Sequence, residues 1–353
     1  MARESLVSLT DLAECGGCAA KLGPSELAEI IRRFSTQAVQ GGPLSLAGLD
    51  PPDDALVYAL DKDRAIVQTV DFFPPIVNDP YAYGAIAAAN AVSDVYAMGG
   101  DVLWALNIVA FPDDMPLDTL AEVLRGGADK IVEAGGFIGG GHSIRDRVPK
   151  YGMCVTGMVS RASIWRKSGA RAGDLLFVTK AIGTGLILTA ARGGRVDDND
   201  LQEAIVNMMR LNRDASQCLR EFRPSAVTDV TGFGLLGHGF EIAHQSSVRL
   251  EIEASRVPLL AGASACARAG VRTSAHPKIR AYLGSQVEFA ATVDGTMQNL
   301  LLDPQTSGGL LVAISEDQAG ALVAQFDRSN LPIWRIGRAV CGTGMSVILG
   351  HAG

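Results

Sequence analysis

Gly84-Ala85-Ile86-Ala87-Ala88-Ala89-Asn90-Ala91-Val92-Ser93-Asp94-Val95-Tyr96-Ala97-Met98 reads as a helix built almost wholly from small residues. Short side chains let a neighbouring element approach its backbone closely. Asn90 and Asp94 lie four apart and so share one face of this helix. Upstream, Ala55–Leu60 and Ala65–Val70 predict two strands, with Asp53-Asp54 before the first and Asp71 at the end of the second. Downstream come a strand over Leu103–Phe111, a helix over Leu117–Ala134, a glycine-rich turn from Gly135 to Ser143 and a strand over Tyr151–Val159. Strands and helices mix without a regular βαβ repeat, which favours an α+β fold over a doubly wound sheet.

Around Ser160 to Gly173 the pattern lapses into Arg, Lys, Ser and Gly, the expected boundary between two domains. Beyond it, strands are expected at Asp174–Thr179, Ala226–Asp229, Val248–Ile252 and Leu310–Ile314, with one closing strand at the end. Helices are expected at about Gly185–Arg192, Asn199–Glu221, from Leu235, and over Leu259–Ala269. The expected division is residues 1–50 for an N-terminal loop, helix and linker, 51–160 for a first domain and 174–353 for a second.

The 353 residues suffice for two domains, and 48% apolar with 20% charged residues describes a soluble globular chain. A net charge of −7 argues against a nucleic-acid surface. No stretch approaches about 18 uninterrupted apolar residues, so no membrane span is expected. Six cysteines in this length do not suggest a disulfide scaffold, and no signal-peptide core opens the chain. A cytoplasmic protein is the expectation.

Glu14-Cys15-Gly16-Gly17-Cys18-Ala19-Ala20-Lys21-Leu22-Gly23 gathers two thiols, a lysine and three glycines. The glycines predict a segment that bends sharply or moves. A nearby ammonium favours thiolate over thiol and can also neutralise phosphate. The pair Cys15 and Cys18 admits a redox dithiol or half a zinc site, yet the remaining four cysteines are single and widely spaced. A reactive, non-redox cysteine is the favoured reading; spacing alone does not say which thiol it is.

Asp54, Asp71, Asp94 and Asp229 stand at strand ends or on the small-residue helix. Taken singly, each serves as well for capping or turning its own element. If they converge they cannot all stay ionised unpaired, and a divalent cation is required. Magnesium suits carboxylates combined with substrate phosphates. No G-x-x-x-x-G-K-[ST] occurs, which excludes a P-loop. Gly139–Ser143 could cradle phosphate through backbone N–H groups, with His142 as a further donor, although plain turns use the same residues. Thr228–Gly234 could present a helix N-terminus to an anion or simply connect strand to helix, and His238 reads as structural.

Together these segments resemble the selenophosphate synthetase (selenide, water dikinase) family from about Leu9 to the final strand. The motifs are Gly17-Cys18-Ala19-Ala20-Lys21, Asp53-Asp54-Ala55, Thr69-Val70-Asp71-Phe72-Phe73, the run Ala89–Gly100, Gly140-Gly141-His142-Ser143, the run Thr228–His238 and Asp303-Pro304-Gln305-Thr306-Ser307-Gly308-Gly309. The aspartate segments alone fit the wider ATP-dependent superfamily that includes aminoimidazole ribonucleotide synthetase and thiamine-monophosphate kinase. The Cys/Lys loop and the Thr228–His238 run narrow it.

The resemblance implies a two-domain α+β homodimer joined through a shared N-terminal β-sheet or barrel, with an ATP site built from both subunits. It implies the conversion of ATP, selenide and water to selenophosphate, AMP and phosphate. Cys18 falls on the family's active-site cysteine and Lys21 on its essential lysine. Asp54, Asp94 and Asp229 fall on ligands for several Mg²⁺ ions. Asp53, Asp71, Asn90, Asp94, Gly141, His142 and Ser143, with Lys21, fall on the nucleotide pocket. A selenium-delivery protein is an implied partner. Two departures stand out: Ala20 replaces the second cysteine some members carry before the lysine, and Pro51-Pro52 stiffens the approach to Asp53. The competing readings are a superfamily kinase for a small metabolite such as thiamine monophosphate, and a non-catalytic nucleotide sensor with Cys15 and Cys18 as a redox switch.

Overall fold

The computed structural model describes residues 8–13, 17, 26, 29–31, 33, 42–49 and 51–350. Cys15, Cys18 and Lys21 lie outside the described residues, as does most of the expected first helix.

A first sheet is ordered β1-β2-β3-β6-β4-β5. Its strands are β1 (Ser45–Leu49), β2 (Pro52–Ala59), β3 (Arg64–Phe73), β4 (Asp101–Phe111), β5 (Phe137–Arg145) and β6 (Lys150–Ser160). Only the β4–β5 pair is parallel among them; the sheet is open, not a closed barrel. Strand alternation divides its faces. Val57, Val67, Met153 and Val155 are fully buried beneath the helices, whereas Leu56, Val70, Phe72, Trp104 and Leu106 look outward and exposed.

Helix α1 (Pro80–Ala97) is the small-residue helix. Asp79 caps it by accepting from the Ala82 amide at 2.7 Å, Pro80 occupies its first turn, and Gly99 at φ +77° ends it. Gly84 is what permits its contact with α2 (Leu117–Glu133), because a Cβ there would fall 1.9 Å from the Val123 carbonyl oxygen. With no bulky face, α1 is buried all round, against the first sheet, α2 and the second half of the chain.

That second half carries β7 (Leu175–Val178), α3 (Thr184–Arg192), α4 (Asp198–Met209), α5 (Arg213–Leu219), β8 (Ala226–Asp229), α6 (Gly234–Ser246) and β9 (Arg249–Glu253). It continues through α7 (Ala263–Arg268), α8 (His276–Leu283), β10 (Val287–Phe289), α9 (Gly295–Leu301), β11 (Leu310–Ile314), α10 (Glu316–Arg328), β12 (Trp334–Val340) and β13 (Gly344–Ile348). Its seven strands form a mixed sheet in the order β10-β13-β9-β12-β7-β11-β8.

Several local expectations differ, and Asp53 and Asp54 lie inside β2 rather than before it. Gly139–Ser143 is not a turn but part of β5. Gly140 and Gly141 hold φ +138° and +157°, and a Cβ on Gly141 would meet the Asn107 carbonyl at 2.3 Å, so glycine here serves close strand pairing. Asp71 lies inside β3 rather than at its end. The helix expected over Asn199–Glu221 breaks at Arg210-Leu211-Asn212, where Asn212 Nδ2 donates across the domain junction to Ser93 Oγ (2.9 Å) and, within its own half, to Gly308 O (2.8 Å). The helix expected over Leu259–Ala269 shrinks to α7, since Leu259 bridges to Ile182 and Gly262 takes φ +76°.

Candidate active site

Asp54, Asp94 and Asp229 converge at the domain junction, with ligand atoms all within 4.8 Å of one another. Asp54 comes from β2, Asp94 from α1 and Asp229 from the end of β8. Two donors orient the first two carboxylates: Thr228 Oγ1 donates to Asp54 Oδ1 at 2.9 Å and Thr69 Oγ1 to Asp94 Oδ2 at 2.5 Å. Asp54 Oδ2 is buried and has no hydrogen-bond partner among the described residues. A buried acceptor with no donor, facing two more carboxylates, fits a hard divalent cation.

A buried lysine of the protein itself sits beside Asp54. Lys167 Nζ lies 3.1 Å from Asp54 Oδ1 and 3.0 Å from Glu241 Oε2. Burial alone would lower the Lys167 pKa, but the charges of Asp54 and Glu241 outweigh it and hold the group well above the ordinary lysine range. Burial likewise opposes ionisation of Glu241, and Lys167 with His238 outweighs it, holding Glu241 below the usual carboxylate range. His238 Nε2 accepts from the Phe233 amide at 3.4 Å, so Nδ1 carries the proton toward Glu241 Oε2 at 3.1 Å. His238 therefore orients the acid that anchors Lys167. Asp53 accepts from the amides of Asp54 (3.0 Å) and Lys167 (3.4 Å), and burial, then the Asp54 charge, pushes it up to about 7.

One turn along α1 from Asp94, Asn90 is fully buried and spans the junction. Its Nδ2 donates to Asp71 Oδ2 at 2.6 Å, and its Oδ1 accepts from the Ser307 amide at 2.8 Å. Lys180, also buried, donates to the carbonyls of Arg210 (2.6 Å) and Ser307 (2.8 Å); burial, then Arg210, holds it well below the ordinary lysine range. Gly141, His142 and Ser143 are not brought to this cluster. They lie on edge strand β5, and the register Asp71–Met153–Asn107–Gly141 puts three strand spacings between Asp71 and Gly141, about 14 Å.

Sequence reading passed over Lys167, Glu241, Thr69 and Lys180. Lys167 sits in the stretch taken as an interdomain linker, where a basic residue carries no local signal. Lys180 follows a strand, with nothing in its spacing to mark a buried amine. Thr69 did stand in a quoted motif, two residues before Asp71, and alternation on β3 puts both on one face.

An open sheet and a mixed sheet joined at an acidic cluster define the class. Residues 52–159 match the model of the AIR synthase related protein N-terminal domain, and residues 171–350 that of its C-terminal domain. Solved structures share the architecture. The thiamine-monophosphate kinase from Stenotrophomonas maltophilia superposes with a TM-score of 0.66 at 21% identity, covering 94% of this chain and 97% of its own. The thiamine monophosphate kinase of Aquifex aeolicus gives 0.66 at 18%, covering 92% and 96%. At those identities the likeness concerns the fold alone.

Within this class the chain belongs to the selenide, water dikinase family. It is 44% identical to the selenide, water dikinase of Clostridioides difficile over 316 residues, 89% of this chain and 90% of that protein. Against the selenide, water dikinase of Myxococcus xanthus it is 42% identical over 336 residues, 95% of each chain.

Proposed function

We infer that this protein makes selenophosphate from selenide, ATP and water, releasing AMP and phosphate. The observation that carries the reading is identity above 40% to selenide, water dikinases along nine-tenths of the chain, joined to an acidic cluster with a buried, unpartnered carboxylate oxygen.

Asp54, Asp94 and Asp229 are the residues that would hold Mg²⁺, more than one ion per site, which offsets the charge on the phosphates when bound. Lys167 and Thr228 fix Asp54, and Thr69 fixes Asp94, so these ligands are set before the substrate arrives. Asp53, Asp71 and Asn90 line the nucleotide side of the cluster. Cys18 receives or positions the selenium, and Lys21 neutralises phosphate charge at the same place. Exclusion of water from the site would keep it from taking the γ-phosphoryl group ahead of selenium.

The working unit in this reading is a homodimer, and the protein is cytoplasmic. Support for the dimer comes from the outward face of the first sheet, where Leu56, Tyr58, Val70, Phe72, Trp104 and Leu106 stand exposed. A partner seated there explains why Gly141, His142 and Ser143 lie about 14 Å from Asp71 within one protomer: they serve the partner's nucleotide. Selenium reaches the site as selenide or from a delivery protein. Nothing in the charge or motifs calls for nucleic acid.

Anaerobic phosphorus NMR with Mg-ATP, with and without selenide, tests the assignment. Selenide-dependent growth of a selenophosphate signal together with AMP and phosphate is the expected result. Hydrolysis indifferent to selenide, or ADP as the final product, refutes it.

A further inference from the structure

The chain entering the Cys/Lys segment is tied to one stretch, the Pro74–Asp79 connection between β3 and α1. Asn78 Oδ1 accepts from the Thr10 amide (3.0 Å) and from the hydroxyls of Ser8 (2.8 Å) and Thr10 (2.9 Å). Leu9 and Ala13 are buried. The Gly17 amide donates to Pro74 O at 3.2 Å. Gly17 has φ +63°, and a Cβ there would lie 2.6 Å from Thr306 Oγ1 and 2.7 Å from an Ile76 methyl. The position just before Cys18 thus admits glycine alone, seated between the two halves of the molecule.

One further tie comes from the second half. Arg192, the last residue of α3, donates through Nη1 to Ala13 O and through Nη2 to Pro75 O, both at 3.1 Å. The other end of α3 is held by the Asp303–Gly309 loop. Leu186 N donates to Asp303 Oδ2 at 3.2 Å, and the amides of Gly183 (2.9 Å) and Thr184 (3.1 Å) donate to Gln305 Oε1. That same loop sets Thr306 against Gly17 and Ser307 against Asn90.

We propose that Arg192 is a positioning residue for selenophosphate synthesis: its guanidinium clips the chain leading to Cys18 and Lys21 onto the end of the strand that carries Asp71. A planar fork with parallel N–H donors spans two carbonyls on separate segments, which a single ammonium does not reproduce. As a positioning residue, Arg192 acts through the placement of Cys18. The inference rests on the functional reading of Cys18 and Lys21 given above.

The test uses the full-length enzyme and its Arg192→Gln and Arg192→Lys variants. Selenide-dependent AMP formation gives kcat and the KM for ATP separately. Alkylation of Cys18 by iodoacetamide, resolved by peptide mass spectrometry with and without Mg-ATP, reports the segment directly. In Arg192→Gln, kcat falls about tenfold, the scale of one to two part-buried hydrogen bonds, while KM holds. Its Cys18 alkylation rate departs from the parent's and responds less to Mg-ATP. Arg192→Lys keeps the charge and recovers part of both, and it carries the test if the glutamine variant does not fold. Parent-like kcat and parent-like alkylation in Arg192→Gln overturn the proposal, as does a KM rise with kcat unchanged. If the parent makes no selenophosphate, the functional reading fails, and the alkylation rates alone decide on Arg192.

Discussion

Replacing Lys167 by methionine removes the buried charge that faces Asp54 and Glu241 while keeping most of the side-chain volume. All three side chains are at least 87% buried, by exposures of 7%, 3% and 13%. Breaking a buried pair by deleting one partner typically costs about 3–5 kcal/mol, because the surviving carboxylate is stranded. Here two are stranded, and Asp54 already faces Asp94 and Asp229. At roughly 2–4 °C per kcal/mol for domains of this size, the variant should melt on the order of 10 °C below the parent without divalent cation. A cation held by Asp54 supplies the missing charge, so Mg²⁺ should raise the melting temperature of Lys167→Met more than that of the parent. Differential scanning fluorimetry over a Mg²⁺ series, in EDTA-treated protein, reads both effects. A variant that melts with the parent, or gains no more from Mg²⁺ than the parent does, would refute the view that Lys167 and the cation share one carboxylate.

Cys18→Ala should abolish selenide-dependent turnover and leave Mg-ATP affinity by calorimetry within about twofold, since nucleotide contacts are assigned elsewhere. Phe72→Asp puts a charge on the outward apolar face; for the proposed dimer, sedimentation should show association weakened at least about a hundredfold, with turnover lost in step if its nucleotide site is shared as proposed. Asp303 is buried, with its pKa pushed up by burial from 3.8 to about 8. A raised folded-state pKa means its contribution is fully present below about 4 and is lost as pH rises through about 8. Urea unfolding from about pH 5 to about pH 9 should therefore show Asp303→Asn losing less stability with rising pH than the parent, by a few kcal/mol at most.

Local pattern carried the strands and helices whose residues alternate or recur on one face. Ala226–Asp229 and Leu310–Ile314 lie where spacing put them. The strand Ser45–Leu49 was invisible because its glycine-rich surroundings read as loop, and it is a strand only through pairing with Pro52–Ala59. β5 was lost for the opposite reason, since glycines that signal a turn locally serve close strand approach once β4 is present. The acidic residues of the cluster were legible as residues, while their convergence was conditional on a fold that brings β2, α1 and β8 together. Lys167 was illegible because its significance lies in two partners far away in the chain and none nearby. The Cys/Lys segment shows the other limit: composition suggested a reactive thiol without saying which, and the seat of Gly17 on Pro74 and Thr306 follows only from three-dimensional contact.

The acidic cluster straddles a seam. Two of its carboxylates ride on the first half of the chain and one on the second, while Asn90 and Asn212 stitch the same seam from α1 and from the α4–α5 break. For the proposed ion, binding and tightening of the seam are therefore one equilibrium seen from two sides, coupled reciprocally. Any contact that loosens the halves, however remote from the carboxylates, lowers ion affinity by the factor with which the ion resists the loosening. A protein docking across the outer edge of that seam would thus govern when the enzyme can hold its nucleotide without touching the nucleotide itself.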